Sequence, residues 1–264
     1  RPYPKFNEPL YESTDLINCH SYLTYDMLKS RFPEKVNFIP HSLPDKLFFE
    51  MDESSIESSK RMLLGSERED HFVGIWVNRN AKRKRPSDLL KGWKLFLDML
   101  EKEEGHRKAT LILHTEPSDQ EGPNLFKVSE MLGIHNDIVF SRERLEFEKM
   151  NVLYNISDFC INVSYAEGFG LSTLESMSTG TPIIAAKTGG LTRQVVDHRD
   201  QTENGVALDI ELQTMVGSQQ VPYIYEDYVS CESIAKGIMK LYKMDKDDRA
   251  KLKKKVKEYV KSEF

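Results

Sequence analysis

The sequence predicts an α/β protein whose centre is a doubly wound parallel sheet. Short continuous apolar runs alternate with longer amphipathic stretches, which is the pattern of strands that feed covering helices. The runs are apolar without alternation, as residues 72–77 illustrate, and this is expected for strands that are buried on both faces. At least five strand-and-helix units of this kind follow one another, so a layered α/β architecture is expected.

The order of the elements follows from these runs and from the residues that interrupt them. Pro40 stops the second predicted strand because a proline restricts the residue before it, and Gly180 closes a helix as glycine commonly does. The predicted strands span residues 15–19, 36–39, 72–77, 109–114, 137–140, 158–163 and 182–186. The predicted helices span residues 22–31, 87–102, 124–132, 147–155, 171–179, 230–243 and 247–260, with a short one between 55 and 65.

Three segments depart from this alternation. Residues 43–70 are polar and indicate a linker between two domains, so the doubly wound domain is expected to begin at about residue 71. Residues 210–228 show no clear period and are interpreted as an insertion loop. The last helix carries six lysines between Lys251 and Lys261, which we interpret as a solvated helix face.

Composition excludes several classes of protein. With 264 residues, 39% hydrophobic and 30% charged, the chain is neither disordered, collagen-like nor a coiled coil. The formal net charge of -5 disfavours a general nucleic-acid coat. No run is long enough for a membrane helix, residues 1–5 lack the apolar core of a signal peptide, and the three widely spaced cysteines indicate reduced thiols in a cytoplasmic protein.

The most informative stretch runs from Glu167 to Glu175, between a predicted strand and a predicted helix. Ligands of parallel sheets bind at this end of the strands. Gly168 and Gly170 flank Phe169, so the backbone can approach a ligand closely and the first amides of the helix can receive a phosphate group. The alternative is an ordinary turn in which Glu175 is a first-turn acid that the helix dipole favours.

A second cluster follows the strand at residues 72–77. Five Lys or Arg residues lie within residues 79–85, where they could clamp a diphosphate and offset the negative charge that grows on it as a bond breaks. A solvated loop and a nucleic-acid patch are the alternatives.

Together these residues resemble the retaining glycosyltransferases of family 4, which have the GT-B fold of two facing Rossmann-like domains. Glu167 and Glu175 fit that family's Glu-x7-Glu signature, with residues 168–171 as its usual interior. Arg79 and Lys84 are similar to the family's diphosphate-holding pair, and Pro40-His41 to its hinge. Further similar positions are the segments at 180–184 and 188–190, whereas Asn78, Arg85 and Ser42 stand where the family commonly has glycine.

The resemblance implies a role for each site residue. Arg79 and Lys84 would grip the diphosphate of a UDP-, GDP- or ADP-sugar and act in catalysis by stabilising the leaving group. The backbone of Gly168, Phe169, Gly170 and Leu171 would meet phosphate or sugar oxygens. Glu167 would accept from sugar hydroxyls as a further catalytic residue, and Glu175 would accept from the ribose. The resemblance also implies that no metal and no cofactor are required.

The resemblance further implies a division of the chain. Residues 1–42 would be the C-terminal remnant of an acceptor-side Rossmann-like domain, 43–70 the linker, and 71–264 the donor-binding domain with its insertion and C-terminal helices. Two full domains would need about 300–400 residues, and the sequence lacks an initiator Met. We therefore expect a fragment that binds donor but does not transfer sugar efficiently.

Partners and alternatives follow from the same reasoning. The acceptor would be a glycan, a lipid-linked molecule or a small molecule, with possible peripheral membrane contact through the basic last helix and no nucleic acid. Alternative functions are a nucleotide-sugar epimerase or a sugar phosphorylase of the same fold, and a non-catalytic sugar-nucleotide binding module. A nucleic-acid binder is disfavoured because neither basic stretch is interleaved with aromatic residues.

Overall fold

The computed structural model describes residues 5–264, so the first four residues of the predicted remnant 1–42 lie outside the described part. The amino-terminal part is a small α/β unit in which two short strands pair in parallel. Ser21 begins the second helix by accepting a hydrogen bond from the amide of Thr24 at 3.2 Å, a common helix cap. The elements of this unit are Glu8–Ser13 (α1), Ile17–Cys19 (β1), Tyr22–Lys29 (α2) and Val36–Phe38 (β2).

The main part is a six-stranded parallel sheet with helices on both faces. Its strands are Phe72–Val77 (β3), Ala109–His114 (β4), Ile138–Ser141 (β5), Phe159–Asn162 (β6), Ile183–Ala186 (β7) and Gly205–Leu208 (β8). Its helices are Glu53–Leu64 (α3), Pro86–Glu104 (α4), Leu125–Met131 (α5), Phe147–Asn155 (α6), Leu171–Ser178 (α7) and Leu191–Val195 (α8). A hairpin of Leu212–Val216 (β9) and Ile224–Tyr228 (β10) follows, and then Cys231–Tyr242 (α9) and Lys246–Glu263 (α10).

The strand order of the sheet is β5-β4-β3-β6-β7-β8. The chain runs outward from β3 through β4 to β5, returns to the other side of β3, and then continues from β6 to β8. The order therefore reverses between β3 and β6, and in such sheets this reversal opens a crevice at the carboxyl ends of the two strands. The predicted doubly wound parallel sheet is confirmed.

Successive side chains of β3 point to opposite faces of the sheet, and helices cover each face. Phe72 and Trp76 pack with α4, α5 and α9, whereas Val73 and Ile75 pack with α6, α7 and α10. All four side chains are at least 95% buried. The continuous apolar run is thus needed because each face of the strand meets its own layer of helices.

The interpretation of residues 210–228 as a loop is wrong, because β9 and β10 form an antiparallel hairpin there. Leu212, Thr214 and Val216 share one face of β9, as the two-residue period of a strand requires. The alternation of apolar and polar residues along β9 is hard to recognise in the sequence, because Thr214 is polar on this face and Met215 is apolar on the other. The strand β8 and the short helices α1 and α8 were also missed.

The predicted linker packs against helices α6 and α10. Phe48 is buried against the rings of Phe147 and Tyr154, and the amides of Phe49 and Met51 donate to asparagine side chains of α6 at 2.9 Å each. Lysines of α10 reach this segment, because Lys253 and Lys257 pair with Glu50. The basic helix is therefore only partly a solvated face. The domain boundaries near residues 42 and 70 stay a prediction.

Candidate nucleotide-sugar site

The two predicted clusters lie side by side at the point where the strand order reverses. Residues 78–85 follow β3 and residues 163–170 follow β6, and these two strands are direct neighbours in the sheet. The amide of Tyr165 donates to the carbonyl of Arg83 at 3.2 Å, which joins the two loops directly. The parallel sheet therefore brings together residues that are distant in sequence, such as Lys84 and Glu167, which are 83 positions apart.

Lys84 and Glu167 form the centre of the site. The Lys84 ammonium donates to a carboxylate oxygen of Glu167, and each side chain is only 10% exposed. Burial lowers the pKa of Lys84, and the Glu167 carboxylate opposes that shift. The pair places one cation and one anion at the start of α7, where a phosphate and a sugar hydroxyl would each find a partner.

Arg83 is a second cation at Glu167, and it was not among the residues predicted from the sequence. Its guanidinium donates to the carbonyl of Ala166 at 3.1 Å and lies 3.5 Å from the Glu167 carboxylate. The run of basic residues at 79–85 was the signal that could have identified Arg83, whereas the family resemblance points only to Arg79 and Lys84.

Arg79 lies farther out, in contact with acidic residues of the loop that follows β4. Its guanidinium donates to Asp119 at 2.8 Å and pairs with Glu121 at 3.1 Å, and the side chain is 60% exposed. These contacts raise the pKa of Arg79 and lower that of Asp119. The structure thus joins Lys84 to Glu167 but pairs Arg79 with other partners. Both cations nevertheless border one cleft of about 440 Å³, lined by Arg79, Ala81, Lys82, Arg83, Lys84, Gln120 and Glu121.

The glycine turn begins α7 as predicted. Gly170 has a φ of +95°, which favours glycine, and Leu171 is the first residue of the helix. A Cβ at Gly168 would meet no atom within 4 Å, so this position faces open space. The first amides of a helix have no carbonyl partner within it, and they are therefore available to an anion. Phe169 is buried, with its ring 4.9 Å from that of His41 and 5.7 Å from that of Phe264.

Glu175 is hydrogen-bonded to a residue of α6. The hydroxyl of Tyr154 in α6 donates to its carboxylate at 2.6 Å. Burial raises the pKa of Glu175, and the hydrogen bond from Tyr154 opposes this shift. A ribose contact would require the carboxylate to accept from the ribose and Tyr154 together, or to exchange one for the other.

The loop after β7 supports the glycine turn, and its residues were not in the predicted site. The amide of Gly190 donates to the carbonyl of Glu167 at 3.0 Å, and a Cβ at Gly190 would lie 2.5 Å from the Cα of Phe169. The buried amide of Gln194 donates to the carbonyls of Phe169 and Gly170. The family resemblance of the Thr-Gly-Gly segment at 188–190 is the signal that could have identified this loop.

A larger cavity of about 580 Å³ lies at the other end of the strands, beside their amino ends. Asp158, which precedes β6, and Pro182, which precedes β7, both line it. Ligands of doubly wound sheets bind at the carboxyl ends of the strands, so we place the functional site at the carboxyl ends of β3 and β6, where Lys84 borders the smaller cleft and meets Glu167.

Comparison with known proteins shows the family and the fold of this chain. The sequence model of the family Glycosyl transferases group 1 matches residues 72–214, a little over half of the chain. The chain therefore belongs to this family. A D-inositol 3-phosphate glycosyltransferase 2 of Catenulispora acidiphila is 30% identical over 137 residues, which cover 50% of this chain and 31% of that protein. The D-inositol 3-phosphate glycosyltransferase of Corynebacterium diphtheriae is 30% identical over 179 residues, which cover 67% and 39%.

Solved structures show the same fold, which is of the GT-B type. Anabaena HepE, crystallised with UDP and glucose, superposes with a TM-score of 0.71 at 18% identity, over 95% of this chain and 59% of its own. A glycosyltransferase of Rickettsia africae superposes with a TM-score of 0.73 at 16% identity, over 100% and 64%. The chain spans about a third of the length of these curated relatives and about 60% of these structures. Within residues 5–264, no helix combines the length and apolarity needed to cross a bilayer.

Proposed function

We propose that this chain binds a nucleotide-diphosphate sugar and serves the transfer of its sugar to an acceptor hydroxyl with retention of anomeric configuration. One observation carries the proposal: the buried Lys84–Glu167 pair lies beside the first turn of α7, where the strand order reverses. A cation, a set of helix amides and a carboxylate meet there. These are the groups that a diphosphate joined to a sugar requires.

In the proposed complex the diphosphate lies between Lys84 and the amides that begin α7. Because Lys84 is largely buried, its charge is poorly screened and acts strongly on the leaving group. Each well-placed donor of this kind contributes about 3–4 kcal/mol to stabilising negative charge in a transition state. Glu167 then accepts from a hydroxyl of the sugar, while Arg83 keeps its carboxylate partly neutralised.

We further propose that no protein nucleophile takes part. A departing phosphate oxygen would accept the proton of the acceptor hydroxyl on the same face of the sugar, which retains the configuration. Lys84 and Arg79 would supply the positive charge that a divalent ion supplies in other transferases. UDP affinity should then be equal in EDTA and in Mg²⁺, and a strict Mg²⁺ requirement would contradict this part of the proposal.

Calorimetric titration with UDP, GDP and ADP tests the proposal. At least one of them should bind more tightly than inorganic phosphate, because the site is built for a diphosphate with a nucleoside attached. Binding of UDP is the leading expectation, since HepE was crystallised with UDP and with UDP-glucose. If no nucleotide binds better than phosphate, the donor-site proposal fails.

A further inference from the structure

The hairpin of β9 and β10 is fastened to the candidate site by buried polar contacts. Asp227 is 1% exposed, and its carboxylate accepts from the hydroxyl of Thr188 and from the side-chain amide of Gln213, each at 2.7 Å. Its backbone amide donates to the carbonyl of Tyr165 at 2.8 Å. Buried charges are costly unless they are fully bonded. The bond from Thr188 and the backbone bond to Tyr165 hold the hairpin beside the Glu167 loop, whereas the bond from Gln213 joins the two strands of the hairpin.

One face of this hairpin continues the site. Residues 212, 214 and 216 of β9 and 224, 226 and 228 of β10 share that face, because cross-strand partners in a hairpin point to the same side. The ring of Tyr228 lies 5.7 Å from that of Tyr165, and the guanidinium of Arg85 lies 4.9 Å from the Tyr228 ring. The Tyr228 hydroxyl donates to the carboxylate of Glu226. All three side chains, Tyr165, Glu226 and Tyr228, are partly exposed.

The position of this cluster decides which part of a substrate it can meet. The loop runs from Tyr165 through Glu167 to the first turn of α7, and Glu175 lies one turn farther along that helix. If the nucleoside lies toward Glu175 and the donor sugar at Glu167, Tyr165 and the hairpin lie on the other side of Glu167 along this loop, next to Arg83 and Arg85. The acceptor is then the substrate that this cluster can contact.

The chemistry of the cluster fits a carbohydrate. Aromatic rings offer a flat apolar surface for the C–H face of a pyranose, and an ionised carboxylate accepts from its hydroxyls more strongly than a neutral group does. Tyr165 and Tyr228 supply the rings, and Glu226 supplies the carboxylate. The neighbouring carboxylate of Glu226 raises the pKa of Tyr228 to about 12, so this phenol stays neutral at ordinary pH.

We propose that Tyr165, Glu226 and Tyr228 form a subsite for a pyranose of the acceptor, which the hairpin adds to the donor-binding domain. This inference rests on the proposed function, because the position of the donor sugar at Glu167 is what makes the cluster an acceptor subsite.

Saturation-transfer NMR tests the subsite on the chain as it is. The probes are methyl α-glucopyranoside, methyl α-mannopyranoside and methyl β-galactopyranoside, each measured with and without excess UDP. At least one should receive saturation in both conditions. Glu226→Gln, which keeps the shape of the side chain, should weaken that glycoside about tenfold while leaving UDP affinity unchanged. Tyr165→Ala should act in the same direction.

The matched control is Tyr223→Ala, which removes an aromatic ring next to β10 but outside the cluster and should leave glycoside binding unchanged. Circular dichroism melting of each variant shows that the fold is kept. The subsite is refuted if UDP binds but no glycoside does, or if UDP displaces the glycoside. It is equally refuted if Glu226→Gln weakens UDP-glucose instead, since the cluster would then serve the donor sugar. Failure of UDP itself to bind refutes the proposed function as well.

Discussion

Lys84 and Arg79 have the same charge in very different surroundings, so their removal should have different consequences. Lys84 is buried against Glu167, and loss of one partner leaves a poorly solvated carboxylate. Lys84→Met should therefore lower the free energy of unfolding by about 3 kcal/mol, and should weaken UDP binding about tenfold or more. Urea denaturation and calorimetry measure the two effects.

Arg79→Ala provides the matched comparison. Its ion pairs lie at the surface, where solvent screens them and they contribute little to stability. The variant should be nearly as stable as the wild type but should bind UDP more weakly. A double variant, Lys84→Met with Glu167→Gln, should recover most of the lost stability without recovering UDP binding. Equal stability of all these variants would contradict a buried Lys84–Glu167 pair in which each charge depends on the other.

Replacing the carboxylate of Glu175 should stabilise the fold but weaken nucleotide binding. Burial raises the pKa of its carboxyl, so between the ordinary and the raised pKa the folded state holds a proton that the unfolded state has lost. This stabilising contribution falls as pH rises through that window, and at neutral pH the buried charge carries its full cost. Glu175→Gln should raise Tm by roughly 2 °C at pH 7, with no gain below about pH 4.

The same substitution should weaken nucleotide binding if Glu175 accepts from the ribose. Thermal melts at several pH values and a UDP titration at pH 7 measure both effects. Tyr154→Phe is the control, because it removes the hydrogen bond but leaves the carboxylate in place. A stability gain that does not depend on pH would show that the buried charge of Glu175 is not its source.

At the residue scale, the sequence predicted which residues lie near the site better than it predicted which residues they contact. The Lys84–Glu167 contact follows from strand order, because both residues lie in loops after neighbouring strands. The pairing of Arg79 with Asp119 and of Glu175 with Tyr154 joins residues 40 and 21 positions apart. No period or spacing relates these pairs, and only the packing of loop on loop and helix on helix brings them together.

At the scale of elements, two glycines around the α7 turn should respond in opposite ways. Gly168 faces open space, so Gly168→Ala should leave stability within about 0.5 kcal/mol of the wild type. Its new methyl group should nevertheless weaken UDP-glucose binding, if the ligand approaches that backbone closely. Differential scanning fluorimetry and calorimetry test this pair of outcomes.

Gly190→Ala is the contrasting variant. Its Cβ would lie 2.5 Å from the Cα of Phe169 and 2.6 Å from the carbonyl oxygen of Gly168. Backbone must therefore move, and both stability and ligand binding should fall. If Gly168→Ala lost stability and Gly190→Ala did not, the described contact between the two loops would be wrong.

The hairpin should loosen when its buried anchor is removed. Asp227→Ala leaves the hydroxyl of Thr188 and the side-chain amide of Gln213 without this carboxylate, at a cost of about 1–3 kcal/mol. Hydrogen exchange should become faster at the amides of β9 and β10, whereas protection in β3 and β6 should remain. Uniformly faster exchange throughout the sheet would show that the hairpin is not a separately anchored element.

Elements with long apolar runs were predictable, and the hairpin was not. The strands β3 and β4 were predicted with the bounds that the structure shows, because each is apolar enough to need two covering layers. The hairpin strands are half exposed and carry polar residues such as Gln213 and Asp227 on the side that docks. A buried aspartate has no signature in the sequence, since its role depends on the Thr188 hydroxyl that it meets.

At the scale of the whole molecule, the two α/β units meet near the site. Arg193 of α8 lies over the rings of Tyr22 and Phe38, at 4.6 and 5.1 Å, and the His41 ring meets Phe169 beside the glycine turn. The loop at residues 163–170 is therefore in contact with the amino-terminal unit, so substitutions in that unit can alter the candidate site from outside it. Sequence could not predict these contacts, because they depend on how the two units are oriented.

The proposed function requires a nucleotide diphosphate to lie across the carboxyl ends of β3 and β6. A crystal structure of this chain with UDP tests this placement directly. We expect the diphosphate within hydrogen-bond distance of the Lys84 ammonium and of the amides that begin α7, with the nucleoside toward Glu175. Density for UDP in the larger cavity at the amino ends of the strands, beside Asp158 and Pro182, would contradict this placement.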